Sequence, residues 1–199
     1  MTAMRLFLPL LLLLTGCYAE EIQREVQDEP FFDLSGYIDR QVDSLRSAGT
    51  PVTKTITLNG TTETRELSEL NFANDLKVFR EADINKPAWV DKYTVERREE
   101  GDRVTRTYVA IDSSMQTRRL QVVTQADEPV RIEIFRKTGT VLSDGRHRMT
   151  YEPASGYAMV SRQVNRFGDD LNADIEVRWK KKEVVPPQHH LSPNQIKPN

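Results

Sequence analysis

The stretch Asp174-Ile175-Glu176-Val177-Arg178-Trp179-Lys180-Lys181 alternates charged and apolar residues through Lys180. Successive side chains of an extended strand point to opposite faces, so Ile175, Val177 and Trp179 share one face and Glu176, Arg178 and Lys180 the other. Such a strand belongs at the boundary between a core and water. Parallel sheets are covered on both faces by their crossover helices, whereas antiparallel sheets commonly leave one face solvated. The stretch therefore predicts an antiparallel sheet with one wet face.

The same alternation recurs upstream, in Ile132 and Ile134 against Arg131 and Glu133, and in Leu120 and Val122 against Arg119 and Gln121. From Trp89 onward the period stays at two. Runs at 93–98, 104–111, 118–124, 130–137, 140–151, 157–164 and 174–181 read as strands, and the short turns at 100–102 and 126–129 suit a meander.

Closer to the N-terminus the period lengthens. Leu34, Ile38, Val42 and Leu45 recur at helical spacing with Asp39, Arg40, Asp43 and Arg46 between them, and Gly49, Thr50 and Pro51 form a stop. Next, β-branched runs at 52–58 and 61–67 flank Asn59-Gly60, a pair suited to the two positive φ angles of a type I′ hairpin turn. Ser68 is placed to cap a second helix carrying Leu70, Phe72, Ala73, Leu76 and Phe79, stopped by Asn85 and Pro87. The expected class is α+β, with two N-terminal helices and an early hairpin packed on a large curved antiparallel β-meander. Trp89, Tyr93, Tyr108, Tyr151, Tyr157, Phe167 and Trp179 are expected mostly in the core, where an apolar pocket would also draw on them.

The ends of the chain differ in composition from its middle. Arg5 precedes an apolar run over 6–14, too short to cross a bilayer, which takes about 20 residues. A cationic residue, a short apolar run and small residues in this order form a secretory signal. Leu14-Thr15-Gly16-Cys17 resembles the lipobox of bacterial lipoprotein precursors, and that resemblance implies diacylglycerol on Cys17 and cleavage before it. It divides the chain into a signal peptide at 1–16, a polar and acidic tether at 17–30, one domain at 31–182 and a proline-rich tail at 183–199. No aspartate follows Cys17, which is similar to enterobacterial lipoproteins sent to the outer membrane. Glu20 and Glu21 resemble the export signal of Bacteroidota surface lipoproteins. The implied location is the cell envelope, at the outer membrane, facing the periplasm or the cell surface.

Charge argues against one class of partner. With 28 basic and 30 acidic residues the chain has no surplus positive field to gather nucleic acid. Cys17 is the only cysteine, so the domain's stability rests on its core and not on disulfides.

Few residues suggest chemistry. Asp170, Asn172 and Asp174 have the spacing that opens a calcium loop, but Ile175 and Lys181 stand where the glycine and the closing glutamate of an EF-hand belong. His189 and His190 lie in the tail, and His147, between Arg146 and Arg148, is expected on an outward-facing strand position. No nucleophile elbow, phosphate-binding glycine loop or zinc-protease motif is present, and no cofactor is implied.

The sequence thus leads to a membrane-anchored, non-enzymatic protein that binds a partner protein or an apolar ligand near the bilayer. A hydrolase using acidic residues on envelope glycan or lipid, and a structural or assembly subunit, are the alternatives. Mass spectrometry of the chain purified from its own membranes is expected to find a polypeptide beginning at Cys17 with diacylglycerol attached. A chain with an unmodified Cys17 overturns that expectation.

Overall fold

A computed structural model describes residues 31–180. The chain runs through α1 (Leu34–Ala48), β1 (Val52–Leu58), β2 (Thr61–Leu67), α2 (Phe72–Asp75), α3 (Lys77–Arg80), a turn of 3-10 helix at Pro87–Lys92, and seven further strands. These are β3 (Tyr93–Glu100), β4 (Arg103–Ala110), β5 (Thr117–Gln125), β6 (Glu128–Gly139), β7 (Ser143–Glu152), β8 (Gly156–Asn165) and β9 (Leu171–Trp179). All nine strands form one antiparallel sheet in the order β2-β1-β9-β8-β7-β6-β5-β4-β3.

The architecture is mostly β, and two expectations need correction. The hairpin does not pack on the meander; β1 pairs along its whole length with β9, from Val52↔Trp179 to Leu58↔Ala173, and so extends the same sheet. Its turn is as expected, with Asn59 and Gly60 both at positive φ. The second helix is not continuous either. Asn71, rather than Ser68, caps it by accepting from the Asn74 amide at 3.1 Å, and Leu76 at φ −89°, ψ 0° separates two single turns. Asn74 and Asp75 are poor helix formers that compete for backbone hydrogen bonds, and Asp75 turns its carboxylate toward β1 and β8. A smaller correction falls at 140–142, where the Thr140 hydroxyl accepts from the amides of Leu142 and Ser143 and makes a turn of what reads as strand.

Register explains the core. Ile56, Ile175, Met159 and Met149 are successive cross-strand partners, and the row continues through Ile134, Leu120, Tyr108 and Val95. Eight strands thus present an unbroken apolar line on one face. The helices lie on that face: Leu34 and Ile38 of α1, Leu76, and Phe79 of α3 are buried with Leu120, Ile132 and Tyr151 of the sheet. Tyr151 is completely buried, packed edge-on by Tyr37 and Phe79, and its hydroxyl donates to Gln41 Oε1 at 3.0 Å. Burial pushes the hydroxyls of Tyr37 and Tyr93 up to about 12 and raises that of Tyr151 as well.

Antiparallel register also sorts the turns. Those joining β1–β2, β4–β5, β6–β7 and β8–β9 lie at one end of the sheet, and those joining β3–β4, β5–β6 and β7–β8 at the other. Phe31 enters near the first end, its ring 5.4 Å from Tyr108 and 5.9 Å from Tyr93.

Gly156 opens β8 at φ +141°, where a Cβ would lie 1.9 Å from the Val177 carbonyl oxygen. Backbone strain and the clash with a neighbouring strand add, so Gly156→Ala is expected to destabilise the domain by about 3 kcal/mol or more. Urea unfolding checks this, and a loss below about 1 kcal/mol contradicts it.

Candidate functional site

The apolar row is longer than its helical cover. Met149, Ile134, Leu120 and Tyr108 are buried, but Met159, Ile175 and Ile56, at the β8–β9–β1 side, are only partly so, as is Val95 at the far end. Two single-turn helices shield less sheet than one continuous helix would. At the Ile56 end of the row a groove of about 300 Å³ runs over the β1–β2 hairpin, lined by Lys54, Ile56, Glu63, Arg65 and Leu67. All five share the helix-side face, since Val52, Lys54 and Ile56 pair with Leu67, Arg65 and Glu63.

The charges around this groove are matched internally. Lys54 pairs with Asp75, which also accepts from the Tyr157 hydroxyl, and Arg65 Nε sits 2.6 Å from Glu63 Oε1. Burial, followed by the Asp75 hydrogen bond, pushes the Tyr157 hydroxyl well above its ordinary range. Lys54 and Asp75 are both mostly buried, so removing either would leave a charge without its counter-ion. The groove therefore offers apolar surface edged by neutralised pairs, a setting for an uncharged apolar group.

The next row on this face, beyond Met149 toward the β6–β7 turn, is polar at its centre. His147 does not face outward as expected; it stands in line with Met149 and Tyr151, on the helix side of β7. Alternation alone decides this, because the outward positions are taken by Arg146 and Arg148. Ser161 Oγ lies 2.8 Å from His147 Nδ1, and Thr138 Oγ1 lies 3.1 Å from Nε2. Gly145 makes this possible, because a Cβ there would approach Thr138 Oγ1 to 2.4 Å and Nε2 to 2.9 Å. Burial and the neighbouring Arg136 hold the imidazole below its ordinary range, hence neutral at pH 7. A serine beside a histidine suggests a nucleophile and its base, but the group on the other ring nitrogen is the Thr138 hydroxyl, which has no charge to stabilise the imidazolium that a base becomes. The arrangement is a hydrogen-bonded ladder across β6, β7 and β8.

The carboxylates of a second groove do not form a catalytic pair. On the opposite face, a groove of about 370 Å³ includes Glu96 and Glu100 among its lining. Four residues along a strand separate them by about 13 Å, beyond the roughly 5–9.5 Å that paired glycosidase acids span.

The residues singled out by spacing go separate ways. Asp170 accepts from the Asn165 amide at 3.0 Å, the Asn172 amide donates to Asn59 Oδ1 while its carbonyl accepts from the Asn59 amide, and Asp174 pairs with Arg162. Among the described residues, no three His, Cys, Asp or Glu side chains gather as a metal site. Cys17, His189 and His190 lie outside the described residues. Of the aromatics, Tyr93, Tyr108, Tyr151 and Tyr157 are in the core and Trp179 packs at its edge, but Phe167 is exposed on the β8–β9 turn. Ile56, Met159 and Ile175 were indistinguishable by pattern from core residues, because alternation identifies the buried face and not the extent of its cover. Comparison with protein-family models, curated proteins and solved structures finds no match.

His147 gives the domain an acid-side dependence. With the folded group titrating below the unfolded one, both are neutral above about pH 6.5 and contribute nothing there. As pH falls through the unfolded value, only the unfolded chain takes the proton, and stability drops by at most about 1.4 kcal/mol per pH unit. His147→Asn removes this term. The stability difference between the native chain and the variant, from urea unfolding at pH 8 and pH 5, is expected to shrink on the acid side; a constant difference refutes the assignment.

Proposed function

We propose that this chain is a lipid-anchored protein of the bacterial cell envelope, held through diacylglycerol on Cys17, whose domain binds an apolar ligand without chemical turnover. The incomplete cover of the apolar row at Met159, Ile175 and Ile56, where the row ends at a groove whose charges are internally paired, carries the reading. A partner protein adding a strand at the β2 edge is the second reading considered. Glu63, Arg65 and Glu66 on that strand are the kind of charged residues that discourage such pairing, which favours the groove. The groove on the opposite face offers the acidic-hydrolase reading no pair, since its Glu96 and Glu100 stand too far apart. On this reading the outer membrane is its location.

The test uses an uncharged apolar fluorophore whose emission rises on leaving water. The full chain is expected to bind it, Ile56→Trp to abolish binding by filling the groove, and Val160→Trp, on the opposite face of β8, to leave binding intact. Lipid extraction of the native protein is expected to recover an apolar compound lost in Ile56→Trp. Equal dye binding by both variants, or none by the native chain, rejects the groove as the site.

A further inference from the structure

The two ends of the sheet have opposite character. At the end carrying the β1–β2, β4–β5, β6–β7 and β8–β9 turns, Val141 is 78% exposed, Phe167 77%, Ile111 63%, Leu142 60% and Leu58 48%. At the other end, the turns are Glu100-Gly101-Asp102, Ala126-Asp127 and Pro153-Ala154-Ser155, and no large exposed apolar side chain lies on them. Single exposed apolar residues are ordinary, but a group confined to one end is not. The group is also held together, since the Arg166 amide donates to the Leu142 carbonyl at 2.8 Å and ties the β8–β9 turn to the β6–β7 turn. Val141 and Leu142 occupy a turn fixed by the Thr140 hydroxyl, so they are displayed on a defined support.

From these observations we infer that the apolar turns dock the domain onto a lipid bilayer, with Val141, Leu142 and Phe167 entering the interface and Leu58 and Ile111 at its margin. The choice of a bilayer over other apolar partners rests on the proposed anchor and on where the chain enters. Phe31 packs against Tyr93 and Tyr108 near this same end. The fourteen residues from Cys17 to Phe31 span at most about 50 Å when extended, and the sheet from β4 to β8 is about 19 Å wide. A lipid on Cys17 therefore reaches the surface that the turns face. Diacylglycerol brings two acyl chains and holds the chain at the bilayer by itself, and the turns add a second contact that sets which end of the domain faces the membrane. Here that contact is apolar: Arg166 shares the end with Asp144, Asp169 and Asp170, so there is no positive excess to attract anionic lipid.

The experiment uses the full chain, extracted from its own membranes and reconstituted in phosphatidylethanolamine vesicles with or without phosphatidylglycerol. A polarity-sensitive fluorophore is attached through Leu142→Cys, or through Ala154→Cys at the opposite end, and the bilayer carries brominated acyl chains as quencher. Quenching is expected for the Leu142 position and not for the Ala154 position, with no dependence on phosphatidylglycerol or salt. Adding Val141→Ser and Phe167→Ser to the Leu142→Cys chain is expected to abolish the quenching with an unchanged melting temperature, because both side chains are exposed. Equal fluorescence at the two positions overturns the inference. A spectral shift that grows with protein concentration without vesicles assigns the patch to self-association and overturns it too. The mass of the same preparation keeps the anchor separate: quenching in a chain without lipid on Cys17 supports the docking end while refuting the anchor, and a lipidated chain without quenching does the reverse.

Discussion

Tyr151, near the end of the middle strand of the sheet, has no solvent contact and is closed in edge-on by Tyr37 of α1 and Phe79 of α3. A single sheet has one face to bury and must find its cover elsewhere in the chain. The fifteen residues of α1 and the two single turns of α2 and α3 supply it. A turn of four residues does not hold itself together in water, so α2 and α3 exist because Phe72, Leu76 and Phe79 are buried. Asp75 ties α2 to Lys54 and Tyr157, which fixes the edge of the cover against β1 and β8. Beyond that edge the apolar row runs out from under the helices, and the groove lies there. Core and candidate site are one row of residues divided by where a helix stops.

Much of this was legible in the sequence. The period of two from Tyr93 onward follows from local alternation, and so does the placement of the apolar face. The Asn59-Gly60 turn follows from backbone sterics at two residues. Less accessible was anything requiring partners distant in the chain. That β1 extends the sheet beside β9 depends on residues more than a hundred positions apart, and the hairpin alone does not announce which edge it joins. The break at Leu76 reflects Asp75 being drawn to Lys54, a tertiary contact that overrides the apolar spacing of Leu70, Phe72 and Phe79. His147 shows the opposite fault. Its arginine neighbours suggested solvent, but a strand places neighbours on opposite faces, so their charge said little about where the imidazole points.

The polar ladder of Thr138, His147 and Ser161 bounds the apolar row toward the end that carries the exposed turns. Hydroxyls on both ring nitrogens satisfy a neutral imidazole, one as donor and one as acceptor, and a proton would leave both nitrogens as donors. The ladder thus suits a face that stays partly dry. With Gly145 clearing room for the ring, three strands are fixed in register below the turns that hold Val141, Leu142 and Phe167.

Rigidity at that end matters because exposed apolar residues on mobile turns can fold back on the domain, and these do not. Arg166 is tied to Leu142 across the turns, Asn165 to Asp169 and Asp170, and Asn59 to Asn172, so the β1–β2, β6–β7 and β8–β9 turns share one hydrogen-bonded rim. The aspartate and asparagine spacing that resembles the opening of a calcium loop is accounted for by this rim: Asp170 caps a turn and Asn172 joins two hairpins. The residues most suggestive of a metal in the sequence serve, in the fold, to hold the apolar turns in place.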